Sequence, residues 1–194
     1  MKKAIFLDRD GTINLEKNYL YKINEFEFLS GVFEGLRLLQ EQGYLLIIVT
    51  NQSGIARGYY SEADFEVLNT WMVQEFKYQG VQIEDVFYCP HLPDARVEKY
   101  RKQCDCRKPA IGMYQKAIEK YEIDLSQSFV IGDKMRDCAI CKVTDCRGFL
   151  VGKNEKEDVI EQVKKGLMDR VGYATDLYEA ALKIVQMYEK EEGL

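Results

Sequence analysis

The stretch Ala4-Ile5-Phe6-Leu7-Asp8-Arg9-Asp10-Gly11-Thr12 decides the fold, because an apolar run ends directly in two carboxylates one residue apart. A continuous apolar run of this kind is typical of a buried strand in a parallel sheet. Ligands bind at the carboxyl ends of such strands, so we expect Asp8 and Asp10 to face a crevice. Two neighbouring carboxylates repel each other unless a cation lies between them, which favours Mg²⁺. Taken alone, the stretch leaves open an ordinary Asp-Gly turn.

Apolar runs alternate with helical patterns along the rest of the chain. We expect strands at residues 5–7, 44–49, 86–88, 129–131 and 149–151. Helical spacing of apolar residues predicts helices after Ser61 and Thr175 and a third helix that opens at Pro109. The apolar positions are Phe65, Leu68, Met72 and Phe76 in the first, Leu177, Ala181, Ile184 and Tyr188 in the second, and Ile111, Tyr114 and Ile118 in the third.

This alternation predicts an α/β fold of three layers, with a mainly parallel sheet between helices on both faces. A chain of 194 residues suffices for one buried core, so we expect a single domain over residues 1–194. The spans after the first and second strands are taken up by core helices. We therefore expect no large cap domain, and an open site that suits a small, polar substrate.

Composition restricts the partners and the compartment. The net charge of −5 argues against a protein that binds nucleic acid or anionic membranes by bulk electrostatics. The chain has no run of 18 apolar residues and no signal-peptide pattern at its start, so we expect a cytoplasmic protein, with a monomer as the default. In that compartment the six cysteines are not expected to form structural disulfides.

A cysteine and histidine cluster predicts a metal site. Cys89-Pro90-His91 is followed, after twelve residues, by Cys104-Asp105-Cys106. Three thiolates and one imidazole suit a closed, tetrahedral, structural Zn²⁺ site, so we expect a zinc-binding loop at about residues 89–106. Unrelated thiols and one buried imidazole are the alternative. Zinc binding would hold Arg107 and Lys108, which follow the last ligand, in a fixed position beside the crevice.

Two further strand ends carry polar groups. The segment Val-Thr-Asn-Gln-Ser-Gly-Ile-Ala-Arg-Gly at residues 49–58 offers a hydroxyl, amides and a guanidinium that can surround a phosphate, or it is only a polar connection. Asp133 follows the fourth predicted strand and can reach the same cation as Asp8. Three strand ends and the basic residues Arg107 and Lys108 thus converge on one crevice.

Cys138, Cys141 and Cys146 stand apart from the predicted zinc ligands. Without a fourth ligand nearby, we interpret them as small buried apolar residues rather than a redox or iron-sulfur site. We assign them no function.

Four motifs occur in order along the chain: Asp8-x-Asp10, Thr50, Lys108 and Asp133. As an ordered set they resemble the motifs of the haloacid dehalogenase superfamily of phosphohydrolases, over nearly the whole chain. The resemblance implies that Asp8 is the nucleophile and Asp10 the acid/base, and that Mg²⁺ is held by Asp8, the backbone carbonyl of Asp10, and Asp133. It also implies that the Thr50 hydroxyl and the Lys108 ammonium bind the phosphoryl group.

Three blocks narrow the resemblance: Phe-Leu-Asp-Arg-Asp-Gly-Thr-Ile, Thr-Asn-Gln-Ser-Gly-Ile-Ala-Arg-Gly and Cys-Pro-His with Cys-Asp-Cys-Arg-Lys-Pro. They are similar to the D-glycero-D-manno-heptose 1,7-bisphosphate 7-phosphatase family. The related histidinol-phosphate phosphatase family also has the zinc loop, and the second block favours the heptose family. The chain departs from that family's small residues around the fourth motif at Cys138, Cys141, Thr144 and Asp145, which puts packing there in doubt.

The resemblance implies removal of the 7-phosphate through an aspartyl-phosphate intermediate. A histidinol-phosphate phosphatase remains an alternative, as do a non-catalytic phosphosugar-binding module and, less favoured, a phosphotransferase. The expected substrate contacts are Glu16, Lys17, Asn18, Tyr19, Asn51, Gln52, Ser53, Arg57, Arg107 and Lys134.

Overall fold

The computed structural model describes the backbone of residues 1–192 and the side chains of residues 1–187. The predicted core position Tyr188 and the last two residues of the expected domain therefore lie outside the described residues. The strands are β1 Ala4–Leu7, β2 Leu45–Asn51, β3 Ile83–Cys89, β4 Phe129–Gly132, β5 Arg147–Val151 and β6 Val171–Ala174. The α-helices are α1 Val32–Glu41, α2 Ser53–Arg57, α3 Glu62–Tyr78, α4 Gly112–Tyr121, α5 Glu157–Lys164 and α6 Leu177–Glu192.

The six strands form one parallel sheet in the order β3-β2-β1-β4-β5-β6. All five predicted strands are confirmed, and β1 lies at the centre between β2 and β4. Because the strands are parallel, the polar segments that follow β1, β2 and β4 meet at the same edge. The sixth strand was not predicted, since Val-Gly-Tyr-Ala is short, contains a glycine and is only half-buried at the sheet margin.

Two apolar cores cover the two faces of the sheet, as the α/β prediction requires. Ile5 and Leu7 of β1 belong to one core together with residues of α1, α3 and α6. Ala4 and Phe6 point to the other core, which includes residues of α4 and α5. Side chains alternate between the faces of a strand, and both faces of β1 are fully buried. The strand that carries the two aspartates is therefore the best-shielded element of the sheet.

Helix α3 begins where the sequence predicted. The Ser61 hydroxyl accepts the backbone N–H of Asp64 at 3.1 Å, and the Asp64 carboxylate accepts the backbone N–H of Ser61 at 2.8 Å. This reciprocal pair is a capping box. The four predicted apolar positions, Phe65, Leu68, Met72 and Phe76, are all buried.

The prediction that a helix opens at Pro109 is wrong. Helix α4 begins three residues later, at Gly112. The backbone N–H of Ala110 bonds the carbonyl of Arg107 at 2.8 Å, and that of Gly112 bonds the carbonyl of Asp105, also at 2.8 Å. Residues 107–110 thus form a turn that leads Lys108 into the sheet edge.

The two connections in which a cap domain would lie contain only short 3-10 and α-helical elements besides α3. Residues 8–31, between β1 and α1, contain one 3-10 helix, Ile23–Glu25, and the connection from β2 to β3 contains α2 and α3. Within residues 1–192, neither connection contains a further β-strand. No helix in the described part of the chain is both long enough and apolar enough to cross a membrane.

Removing the α3 cap should lower the free energy of unfolding. We expect Ser61→Ala to cost about 1 kcal/mol, because the N–H of Asp64 loses its acceptor. Urea unfolding followed by circular dichroism measures the change. Thr70→Ala, at an exposed position inside α3, is the control and should not destabilise the protein; equal losses in the two variants would contradict a specific capping role.

Candidate active site

A buried cluster of three charged groups lies at the carboxyl edge of the sheet. The Lys108 ammonium bonds Oδ1 of Asp8 at 2.6 Å and approaches Oδ1 of Asp137 at 2.8 Å. It also donates to the backbone carbonyl of Val49 at 2.6 Å. All three charged side chains are almost completely buried. The cluster joins the ends of β1 and β2 to the turn that contains Lys108 and to the segment after β4.

The charges in this cluster do not balance. Burial, and then the charge of Asp137, raise the pKa of Asp8 well above its usual value, although the Lys108 charge opposes the shift. Burial would lower the pKa of Lys108, but the charges of Asp137 and Asp8 outweigh it and the pKa is raised. One ammonium therefore faces two carboxylates, which leaves negative charge in a site of low polarity.

Asp133 adds a third carboxylate. Burial and the charge of Asp137 raise the pKa of Asp133 to about 6. Its Oδ2 accepts a hydrogen bond from Asn154 at 3.1 Å, whereas the buried Oδ1 has no partner among the described residues. Gly11, with a φ of +86°, lies so close to Asp133 that a side chain there would collide with the carboxylate.

The arrangement fits a hard divalent cation. Ligand oxygens of Asp8, Asp133 and Asp137 all lie within 4.8 Å of one another. Carboxylate oxygens are what Mg²⁺ prefers, and a cation there would offset the uncompensated charge and give the free Oδ1 of Asp133 a partner. From the sequence, the carboxylate of Asp137 was placed at this strand end but given no role in the site, although its place four residues after Asp133 was a usable signal.

The Asp10 side chain lies outside this carboxylate group and is held by other partners. Arg9 donates to both its oxygens, Asn14 donates to Oδ1 at 3.1 Å, and Gln52 donates to Oδ2 at 3.1 Å. Gln52 also donates to the Thr50 hydroxyl at 2.9 Å and accepts a hydrogen bond from Tyr60 at 2.5 Å. Asp10 and Thr50 are thus aligned by one shared amide.

A cavity of about 270 Å³ opens above these groups. It brings together most of the predicted site residues: Asp8, Asp10, Glu16, Asn18, Tyr19, Thr50, Asn51, Gln52, Ser53, Arg57 and Arg107. Two residues that were not predicted, Tyr60 and Arg136, line it as well. Tyr60 has room because Gly54 carries no side chain, since a Cβ there would overlap the tyrosine ring.

Two predicted contacts lie elsewhere. Lys17 donates to the backbone carbonyl of Glu25 at 2.8 Å and pairs with Glu27 at 3.2 Å, outside the cavity lining. Lys134 does not line the cavity either, and its backbone N–H bonds Asp137 at 3.0 Å. Lys108 lies beneath the cavity, where it contacts Asp8.

Three guanidinium groups, those of Arg57, Arg107 and Arg136, line the same cavity. Burial lowers the pKa of Arg107, and the charges of Arg136 and Arg57 act in the same direction against the opposing effect of neighbouring cysteines. Arg57 Nε and Arg107 Nη1 are buried without a hydrogen-bond partner in the described residues. Unpaired buried donors on crowded cations are suited to binding an anion.

The four predicted zinc ligands converge. Sγ of Cys106 lies 3.1 Å from Sγ of Cys89, 3.2 Å from Sγ of Cys104 and 3.3 Å from Nδ1 of His91. All four ligand atoms lie within 4.8 Å of one another. Three sulfurs and one ring nitrogen so close together fit a tetrahedral ion better than thiol hydrogen bonds. The set directly precedes Arg107 in sequence.

Comparisons with known proteins give the chain its family. A family model described as polynucleotide kinase 3 phosphatase matches residues 3–159, more than half of the chain. A D-glycero-β-D-manno-heptose-1,7-bisphosphate 7-phosphatase of Haemophilus ducreyi is 43% identical over 179 residues, which cover 89% of this chain and 98% of that protein. The chain belongs to the heptose 1,7-bisphosphate 7-phosphatase family, within the haloacid dehalogenase superfamily.

Other members agree with this assignment. A D-glycero-α-D-manno-heptose-1,7-bisphosphate 7-phosphatase of Photorhabdus laumondii is 50% identical over 135 residues, which cover 70% of this chain and 74% of that protein. The crystal structure of the D,D-heptose 1,7-bisphosphate phosphatase from B. bronchiseptica, complexed with magnesium and phosphate, superimposes with a TM-score of 0.81 at 30% identity. It covers 95% of this chain and 99% of the other.

The three cysteines outside the predicted zinc set lie in the core that covers one face of the sheet. Cys138, Cys141 and Cys146 are fully or almost fully buried and free in the described structure. Sulfurs of Cys138 and Cys141 pack against Gly148 of β5, where a Cβ would be 3.3 and 3.0 Å from them. Cys138 and Cys141 belong to the 3-10 helix Asp137–Lys142, so their sulfurs fill the space between that helix and β5.

Removing the ammonium at the centre of the buried cluster should strongly lower the free energy of unfolding. We expect Lys108→Met to lower the free energy of unfolding by about 3–5 kcal/mol, because Asp8 and Asp137 lose their only buried counter-charge among the described residues. Urea titration without added metal measures it. The control Lys120→Met removes an exposed pair with Asp85 and should cost less than about 1 kcal/mol; a similar small loss for Lys108→Met would contradict this account.

Proposed function

We propose that the protein is a Mg²⁺-dependent phosphatase that removes the 7-phosphate of D-glycero-D-manno-heptose 1,7-bisphosphate. The observation that carries the proposal is the polarity of one cavity, with carboxylates at its base and three arginines on its wall. A substrate with two phosphates could present one phosphate to a cation held by the carboxylates and the other phosphate to the arginines. The relatives at 43% and 50% identity are named for the β and the α anomer, so both anomers are candidate substrates.

In this proposal Mg²⁺ would be held by Asp8, Asp133 and the backbone carbonyl of Asp10, while Asp137 would keep its pair with Lys108. The residues fit the ion because the carboxylates are crowded, buried and short of positive charge. When bound, Mg²⁺ supplies the positive charge that screens the nucleophile and stabilises the transferring phosphoryl group. The magnesium and phosphate in the B. bronchiseptica relative support this choice of metal.

The chain's own residues then perform a two-step phosphoryl transfer. An oxygen of Asp8 forms a bond to phosphorus while the bond from phosphorus to the sugar oxygen breaks, and Asp10 gives its proton to that oxygen. Asp10 next takes a proton from water, whose oxygen bonds phosphorus as the link to Asp8 breaks. Thr50, Asn51 and Lys108 are proposed to bind the nonbridging oxygens of the phosphoryl group. Lys108 would exchange one of its present partners, Asp8, Asp137 or the Val49 carbonyl, for such an oxygen.

The second phosphate is proposed to bind Arg57, Arg107 and Arg136, which line the cavity. Glu16, Asn18 and Tyr19 line the same cavity and are proposed to contact the sugar, with Gln52 and Ser53 on the opposite loop. Lys17 and Lys134 could join them only if their side chains moved from the positions described above.

The alternatives account for fewer features of the site. Histidinol phosphate carries one phosphate and an amine, so it would leave the arginines without an anion and bring a cation near them. A non-catalytic phosphosugar-binding module has no need of Asp8, Asp10, Asp133 and Lys108 together. A phosphotransferase would need to exclude water, and this cavity is open.

The proposal extends to the zinc site, the cellular compartment and the oligomeric state. Zinc is proposed to hold residues 89–106 so that Arg107 and Lys108 keep their positions beside the cavity. The free cysteines fit a reducing compartment, so we propose the cytoplasm, and we keep a monomer as the expectation.

Phosphate release with Mg²⁺ tests the proposed substrate. We expect kcat/KM for heptose 1,7-bisphosphate, in at least one anomer, to exceed that for histidinol phosphate by about 100-fold, or roughly 2.7 kcal/mol of transition-state binding. Asp8→Asn, which keeps the side chain's size, should abolish turnover while circular dichroism stays unchanged. Full activity of that variant would exclude the covalent mechanism, and the reverse substrate preference would reassign the enzyme to histidinol phosphate.

The three arginines that line the cavity lead to a separate prediction. We expect Arg136→Gln to lower kcat/KM for the bisphosphate by about 10–100-fold, since it removes a charge-assisted hydrogen bond to the second phosphate. With p-nitrophenyl phosphate, which has no second phosphate, the change should be less than about threefold. Lys142→Gln removes an exposed cation from the 3-10 helix that directly follows Arg136 and serves as the control. Equal losses on both esters would argue against a phosphate contact.

Zinc content tests the proposed structural site. We expect Cys104→Ser to lose bound zinc, measured by mass spectrometry of the purified protein, and to lower the melting temperature, because an open ligand set no longer holds the loop. Cys146→Ser, outside the cluster, should retain zinc. Unchanged zinc in Cys104→Ser would refute the ligand set.

A further inference from the structure

Arg9 is a charged residue for which the proposed chemistry has no use, yet it is one of the largest fully buried side chains. Only 1% of it is exposed. Burying a guanidinium is costly unless its charge and its donors are satisfied. Its position between the two catalytic aspartates therefore calls for an explanation.

The contacts of Arg9 centre on Asp10. Its Nε donates to Oδ2 of Asp10 at 3.1 Å, and its Nη2 donates to Oδ1 at 2.9 Å. A planar guanidinium can span both oxygens of a carboxylate, which fixes the plane of the carboxylate as well as its distance. A lysine at this position would offer one donor centre and could not fix that plane.

The same guanidinium reaches two other segments of the site. Nη2 also donates to the backbone carbonyl of Leu20 at 3.1 Å and lies 3.4 Å from Oε1 of Gln52. Leu20 directly follows Asn18 and Tyr19, which line the cavity and have left-handed φ values of +49° and +62°. Arg9 thus connects Asp10 to the cavity entrance and to the loop after β2.

A purely structural role does not account for this geometry. The buried Nη1 of Arg9 has no hydrogen-bond partner among the described residues, so the group is incompletely satisfied. The guanidinium lies over the ring of Phe65 at 5.8 Å, a position that an apolar side chain could fill without loss of charge solvation. The contacts that need a cation with several donors at this position are those to Asp10, Leu20 and Gln52.

We propose that Arg9 is a positioning residue, which holds the Asp10 carboxylate in the orientation for proton transfer and links that orientation to the cavity entrance through Leu20. The inference rests on the proposed function, because it assigns Asp10 the two proton transfers. Arg9 does not line the cavity, so it is not proposed to contact the substrate.

The choice of leaving group separates positioning from general damage. Nitrophenolate leaves without being protonated, so formation of the Asp8 phosphate from p-nitrophenyl phosphate does not need Asp10, whereas departure of a sugar oxygen does. Attack by water needs Asp10 with either ester. The experiment follows single turnovers and the initial burst of nitrophenolate for the wild type, Arg9→Lys and the packing control Phe65→Leu, in the full chain with Mg²⁺.

For Arg9→Lys we expect the nitrophenolate burst rate to stay within about threefold of the wild type, with one equivalent released per site. The later steady state, and the single turnover of heptose bisphosphate, should both fall by about 100-fold. Phe65→Leu should change the burst and the sugar turnover by the same factor. If Arg9→Lys does not fold, Asn14→Ala removes another hydrogen bond to Asp10 and should give the same split, by about tenfold.

A burst rate that falls together with the sugar turnover would make the role of Arg9 structural, and wild-type rates in Arg9→Lys on both esters would also overturn the proposal. If the wild type releases phosphate from neither ester, the proposed function fails first and the positioning role with it. A wild type active on p-nitrophenyl phosphate alone leaves the burst and the steady state to decide, because a role in positioning still requires them to separate.

Discussion

The ammonium of Lys108 between Asp8 and Asp137 is the interaction on which the rest of the site depends. It is buried at the central strand, and Lys108 and Asp8 are 100 residues apart in sequence. One positive charge cannot balance three neighbouring carboxylates in such surroundings. The excess negative charge makes the site receptive to a cation, and the open side of the cavity with its arginines makes it receptive to anions.

The sequence predicted the fold well in segments where the pattern of apolar residues coincides with burial in the structure. Five strands stand out because each contains a run of at least three apolar residues, and α3 is marked by Ser61 and Asp64 as well as by its apolar face. The short edge strand β6 carries neither signal. Pro109 misled the prediction, because a proline suits a turn as well as a helix start, and only the hydrogen bonds of residues 107–110 distinguish the two.

The candidate site was predictable where a residue follows a strand directly. Asp8, Thr50 and Asp133 lie at strand ends, so their convergence follows from a parallel sheet. Lys17, Lys134 and Arg136 do not directly follow a strand. The direction of their side chains therefore depends on the local turn. Lys17 turns toward Glu25 and Glu27, while Arg136 faces the cavity that Lys134 was expected to line. Roles carried over from the family, such as those of Thr50 and Lys17, remain predictions.

Asn51 ends β2 with an exchange that resembles a sheet hydrogen-bond pair. Its amide nitrogen donates to the carbonyl of Lys108 at 3.1 Å, and its amide oxygen accepts the backbone N–H of Lys108 at 3.0 Å. A side chain thereby extends the ladder to a segment 57 residues away. Such a contact requires the intervening loop to close. Catalytic competence therefore depends on this tertiary pairing as well as on the strands.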